Sequence, residues 1–148
     1  MQTKLRWKSG MEFDAELRQH HIIMDSKTPI GKDQGATPKE LVVAGLAGCT
    51  AMDVIALLKK FKQSVASFSV ITDVTISEAG KYPVVFTGAK ITFSVDGDVD
   101  SEKLIESVVL SQTKYCGVSA MFAELFPIEW NIILNGAKIK SGLANFKS

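Results

Sequence analysis

The chain has 148 residues, 46% of them hydrophobic and 22% charged, which suits one domain with a single core that needs no covalent staples. Its 17 basic and 16 acidic residues are interspersed and leave a formal net charge of +1, so it lacks the basic stripe of a nucleic-acid binder, and nucleic acid is not an expected partner. The opening stretch MQTKLRWKSG lacks the continuous apolar segment of a secretory signal, so a cytoplasmic location is expected.

Leu5 and Trp7, then Met11, Phe13, Ala15 and Leu17, recur at every second position. That is the period of strands with one buried face, with Gly10 as the turn between them. HHIIMD predicts a short third strand, and SKTPIGKDQGATP a surface loop. A helix follows, for which Thr37 suits the N-cap, Pro38 the first position and Glu40 the third. Its apolar run at residues 41–58 approaches the length of a membrane span. Asp53 near the centre would cost about 2.5–3.5 kcal/mol in a bilayer. A soluble helix buried on most of its faces is therefore expected, with no membrane partner. Ala44, Gly45, Ala47 and Gly48 form a small-residue surface that something must approach closely, either a helix of the same core or the matching helix of a second subunit.

Past Lys62 the period of two returns. Phe68, Val70, Thr72, Val74 and Ile76 share one face, Val85, Thr87, Ala89, Ile91, Phe93 and Val95 another, and EAGKYP joins them as a hairpin. SEKLIESVVLSQT predicts a helix with Leu104, Ile105, Val108 and Val109 on one stripe behind Asp100 or Ser101 as cap. A second short helix carries Cys116. PIEWNIILNG returns to strand, with Ile128, Trp130, Ile132 and Leu134 alternating, and residues 137–148 are expected to be a loose tail. This order describes an α+β protein, one domain over residues 1–148, with its helices packed on antiparallel sheet.

The chain has two cysteines, Cys49 and Cys116. Each taken alone reads as a small buried hydrophobe. In a reducing compartment the pair is either two free thiols or a transient redox couple. Cys116 lies near a helix start, where the dipole favours thiolate. The two are 67 positions apart, and neither has a second ligand at zinc-site spacing. His20 and His21 point to opposite faces of their strand, so no metal is expected.

ATPKELVVAGLAGCTAMDVIALLKK, followed by SQTKYCGVSAMF, resembles the OsmC/Ohr superfamily and within it the YhfA-like branch. The likeness lies in a Pro-x-Glu helix start, a small-residue helix with one cysteine, an Asp four residues later, and KYC at the second cysteine. It implies an OsmC-like fold, an intertwined homodimer with packed central helices, and a dithiol peroxidase acting on small organic hydroperoxides in oxidative-stress defence. Cys49 would attack the peroxide and become a sulfenic acid, and Cys116 would condense with it to a disulfide. An external dithiol reductant would reopen that disulfide, with no bound cofactor.

The resemblance also implies an Arg in the turn between the first two strands and a Glu ten residues before the first cysteine. Here that turn reads KSGMEF, and the Glu position holds Lys39. Glu40 faces away from Cys49 along a straight helix at about 100° per residue. Asp53 shares the thiol's face and would raise its pKa. Lys39, about 80° from Cys49 around an ideal helix, is either the cation that lowers the thiol pKa or a solvated lysine. His21 either protonates a leaving alkoxide or packs beside Ile22 and Ile23 as an ordinary strand histidine. Arg6 and Arg18 fall outside the Arg turn. Without the Arg and Glu, one alternative is a redox-sensing or small-ligand-binding dimer with little peroxidase activity, and another a structural dimer with inert cysteines.

Overall fold

The computed structural model describes residues 1–78 and 80–147; Ala79 of the expected hairpin loop and Ser148 of the expected tail lie outside them. The one domain expected from length takes the form of two compact units, Met1–Val43 and Ala44–Ser148.

In the first unit β1 (Lys4–Ser9), β2 (Glu12–Leu17) and β3 (His20–Met24) form an antiparallel sheet in that order. Gly10 makes the first turn at φ 52°, in the left-handed region that glycine enters without steric cost. The alternation is present, but the burial it led us to expect is not. Ala15 is buried, whereas Leu5, Trp7, Met11 and Leu17 stay exposed; alternation marks a face that a second layer could bury and does not by itself bury it. The loop after β3 is organised by Asp25, which is buried. Its Oδ1 accepts the Ser26 N–H at 2.7 Å, and its Oδ2 accepts those of Lys32 and Gln34 at 3.0 and 3.2 Å. Burial pushes this carboxyl up, but the three backbone donors outweigh it and hold the pKa below the ordinary value.

Helix α1 (Pro38–Lys60) starts as its capping signal predicts. The Thr37 N–H donates to Glu40 Oε2 at 2.8 Å, and the Glu40 N–H to Thr37 Oγ1 at 3.4 Å. Beyond the unit boundary α1 buries Leu46, Thr50, Val54, Leu57 and Leu58, a stripe of helical period. The expectation of burial on most faces is corrected: only 28% of its most apolar 18-residue window is buried. A helix that is apolar all round exceeds what one chain covers here. Length and composition would also allow α1 to cross a membrane. A Cβ at Gly45 or Gly48 would meet nothing within 4 Å among the described residues beyond α1's own backbone, so the space over these two glycines is open.

The second unit holds a four-stranded sheet in the order β4 (Ser64–Ile76), β5 (Phe86–Asp98), β6 (Ile128–Leu134), β7 (Ala137–Leu143). The two faces read separately from β4 and β5 are one face, since Val70 pairs with Phe93 and Thr72 with Ile91. Two expectations are corrected. The sheet is not wholly antiparallel, because β5 and β6 run parallel, Ile91 opposite Trp130. The chain between them includes α2 (Ser101–Leu110) and α3 (Gly117–Ala123), a crossover of the length that parallel pairing requires. Nor are residues 137–143 a loose tail. Asn135 (φ 49°) and Gly136 (φ 81°) make a two-residue turn, the conformation for which Asn-Gly is the strongest short signal, and β7 pairs antiparallel with β6. Asp100 caps α2, its side chain accepting the Lys103 N–H at 3.0 Å. The core gathers Leu46, Val54 and Leu58 of α1 with Ile91 and Phe93 of β5 and Leu104 and Val108 of α2.

Opposite Trp130 stands Gly142, and the indole ring occupies the space a Cβ there would need. Gly142→Ala should therefore displace the ring and lower stability by about 1–3 kcal/mol. Urea unfolding followed by tryptophan fluorescence measures this; an unchanged midpoint would contradict the packing.

Candidate functional site

On α1 the buried stripe passes through Leu46, Thr50 and Val54, and Cys49 and Asp53 each precede a stripe residue by one position. Both are half-buried at its edge, one turn apart on the same side of the helix. The second cysteine arrives from the other direction. After Leu110 the α-helical ladder gives way to a π turn over Ser111–Tyr115, where the Cys116 N–H donates to the Ser111 carbonyl at 3.0 Å. The wider step rotates Cys116 by about 100° relative to α-helical spacing. Single π turns of this kind gather at functional sites. Cys116 is thus the residue capping α3 rather than a residue within it, and its side chain is completely buried.

The second unit brings the two thiols together. Cys49 lies close enough to act on the buried Cys116 thiol, and its influence favours the protonated form of Cys116. Burial acts in the same direction and is the larger effect. Against them, the Ser119 N–H donates to Cys116 Sγ at 3.3 Å, and the Ser119 hydroxyl, near the sulfur but without a well-formed hydrogen bond, also favours the thiolate. The balance leaves the Cys116 thiol pushed up to about 11. A helix start was expected to favour thiolate here. The cap hydrogen bond exists, but desolvation of the charged sulfur outweighs it.

Beside the thiols lies a polar cluster. Gln112 Nε2 donates to Thr50 Oγ1 at 2.6 Å, Thr50 Oγ1 and Ser111 Oγ are 2.8 Å apart, and Ser111 Oγ donates to Asp53 Oδ2 at 3.1 Å. Thr50, Ser111 and Gln112 are fully buried, and Gln112 Oε1 has no hydrogen-bond partner among the described residues. Burial raises the Asp53 pKa, and the Ser111 hydroxyl only partly offsets it. None of Thr50, Ser111, Gln112 or Ser119 was singled out from the sequence. The available signal was SQT at the end of an otherwise apolar helical stripe.

The remaining candidates belong to the first unit. The Glu40 carboxylate is engaged by Thr37 and by Lys27 at 3.1 Å, which hold its pKa low. Lys39 is exposed in the first turn of α1. His21 Nδ1 lies 2.9 Å from Asp14 Oδ1 across the β2–β3 pair, a different partner from the Ile22 and Ile23 packing read from sequence. Arg6 pairs with Glu16 at 2.6 Å.

A family model described as OsmC-like protein matches residues 31–131. The chain belongs to the OsmC family. Protein YhfA of Escherichia coli K12 is 32% identical to it over 123 residues, covering 82% of this chain and 88% of YhfA. The OsmC-like protein of Mycoplasma pneumoniae has the same fold at a TM-score of 0.77, with 11% identity and coverage of 90% of this chain and 95% of its own. An organic hydroperoxide resistance protein OsmC of Legionella pneumophila superposes at 0.64, with 15% identity and coverage of 90% and 96%. At these identities the two solved structures speak for the OsmC-like fold alone. The family match itself spans Cys49, Cys116 and the whole polar cluster.

Because Cys49 favours the protonated form of its neighbour, its removal should ease ionisation of Cys116. In Cys49→Ala the ultraviolet absorbance of the thiolate should titrate with a midpoint below that of Cys116 in the wild type measured alongside, whose thiol burial pushes up to about 11. A midpoint at or above it would mean that the two sulfurs do not interact.

Proposed function

We propose that this OsmC family member is a thiol-dependent peroxidase that reduces small organic hydroperoxides through a Cys49–Cys116 disulfide cycle in the cytoplasm. One observation carries the reading: two cysteines 67 positions apart meet in one site, one half-exposed and the other fully buried. The asymmetry orders the steps. A hydroperoxide can reach Cys49 but not Cys116, so Cys49 is the first nucleophile. Its thiolate attacks the outer peroxide oxygen, the O–O bond breaks, and the alkoxide takes up a proton to leave as an alcohol, with Cys49 oxidised to sulfenic acid. The Cys116 sulfur then attacks the Cys49 sulfur, the S–O bond breaks, and hydroxide leaves as water with the Cys116 proton. An external dithiol reopens the disulfide by exchange and is itself oxidised. No cofactor is needed. The name of the Legionella pneumophila neighbour, an organic hydroperoxide resistance protein, agrees with this substrate class.

The Lys39 substitution at the Glu position and the Arg-free first turn favour a second reading, a redox sensor that keeps the disulfide chemistry with little turnover. One experiment separates the two. Reduced protein is given one equivalent, then excess, of cumene hydroperoxide with a dithiol reductant. Repeated turnover that Cys49→Ser abolishes supports the peroxidase, a disulfide formed once without turnover supports the sensor, and two unreacted thiols would overturn both.

The assembly we propose is a homodimer through α1. Ala44, Gly45 and Met52 are exposed on this helix, and the space over Gly45 and Gly48 is open, so a second copy can approach closely there. Met52→Lys should shift the mass measured by light scattering toward the monomer. An unaltered dimer would place the interface elsewhere, and a monomeric wild type would remove the proposal.

A further inference from the structure

Asp53 is a half-buried carboxylate for which the peroxidase cycle has no task. Its surroundings suggest one. A hydroxyl has a single proton to give. Ser111 gives its proton to Asp53, so at 2.8 Å its oxygen must accept from Thr50. Thr50, having given its own proton, accepts from Gln112. One carboxylate thus sets the direction of both hydroxyl bonds in a buried chain that crosses from α1 to the π turn. Ser111, the residue it holds, is the one whose carbonyl accepts the Cys116 N–H. Asp53 itself stands one turn after Cys49 on the same edge of α1. The chain therefore joins the two segments that carry the sulfurs.

We propose that Asp53 is a positioning residue for disulfide closure: by accepting the Ser111 hydroxyl it orients the Ser111–Thr50–Gln112 chain and keeps Cys116 facing Cys49. This rests on the two-cysteine reading of the site. The cluster is a poor device for stability alone. It buries three polar side chains completely and leaves Gln112 Oε1 without a partner among the described residues, and apolar packing would fill the same space at lower cost. Burial also disfavours the charged form of Asp53.

The test separates closure from peroxide chemistry. Cys49 of the full-length protein is loaded as a mixed disulfide with glutathione, the site of attachment is verified by peptide mass, and first-order release of glutathione is followed as Cys116 attacks. In this step one S–S bond replaces another, and the Cys116 proton leaves with the glutathione thiol. Each rate is measured well below that variant's unfolding temperature, so that a loss of stability alone does not move it. Asp53→Ala should slow closure about 10- to 100-fold, the scale on which small misplacements act. Ser111→Ala should do the same from the other end of the chain and serves if the first variant does not fold. Asp53→Asn, whose amide oxygen accepts the same hydroxyl proton, should stay close to wild type. Closure at the wild-type rate in the alanine variants, or an Asn variant as slow as Ala, would overturn the proposal. Because no hydroperoxide is used, failure of the wild type to reduce hydroperoxides would overturn the peroxidase and leave this result standing.

Discussion

The hydroxyl of Thr50, fully buried between α1 and the π turn, is the contact on which the geometry of the site depends. A neutral hydrogen bond adds only about 1 kcal/mol to stability, but a buried polar group deprived of its partner costs about 1–3 kcal/mol. Separating α1 from the π turn would strand Thr50, Ser111 and Gln112 together, and the penalty for each adds to the others. The two cysteine-bearing segments are therefore held more firmly by what their separation would cost than by what their contact gains. Apolar neighbours such as Leu46 and Val54 would allow small slips along the helix axis, whereas directed hydrogen bonds do not.

Local patterns were legible in the sequence where the interaction that fixes them is local. The Thr37–Glu40 capping box, the Asp100 cap and the alternation of β4 and β5 each depend on residues a few positions apart, and the side-chain types announce the geometry. The parallel pairing of β5 with β6 depends on where a crossover of two helices returns the chain, which no short window encodes. The β6–β7 hairpin has a local signal in Asn135-Gly136, the preferred two-residue turn, but the strand after it is weakly patterned, because a register shift at Ile139 breaks its alternation and leaves Ser141 and Leu143 exposed. Both cysteines could be picked out by type. Their adjacency could not, because it requires the π turn, and SQTKY carries no composition that distinguishes a π turn from one more turn of α-helix.

The small-residue surface of α1 shows how far a pattern can be read without a second chain. Gly45 and Gly48 each cost about 0.8–1 kcal/mol against alanine in a helix interior, and beyond α1's own backbone nothing among the described residues comes within 4 Å of the positions their side chains would occupy. A helix of 23 residues with one buried stripe is more apolar than its own core requires. The same excess accounts for its likeness to a membrane span, and a partner of matching shape would account for it in water.

The electrostatics of the site bear on which step of the proposed cycle the protein assists. Burial, aided by Cys49, keeps the Cys116 thiol protonated against the opposing Ser119 groups. Such surroundings do little to activate a thiolate. They suit the later step. A sulfenic acid at Cys49 is an electrophile whose departing hydroxide supplies a base at the site, so a neutral Cys116 can lose its proton as it attacks. With a thiol held protonated until that moment, the buried sulfur stays inert toward other oxidants and disulfides. The feature that makes Cys116 a poor first nucleophile thus restricts its chemistry to the one partner the fold places against it.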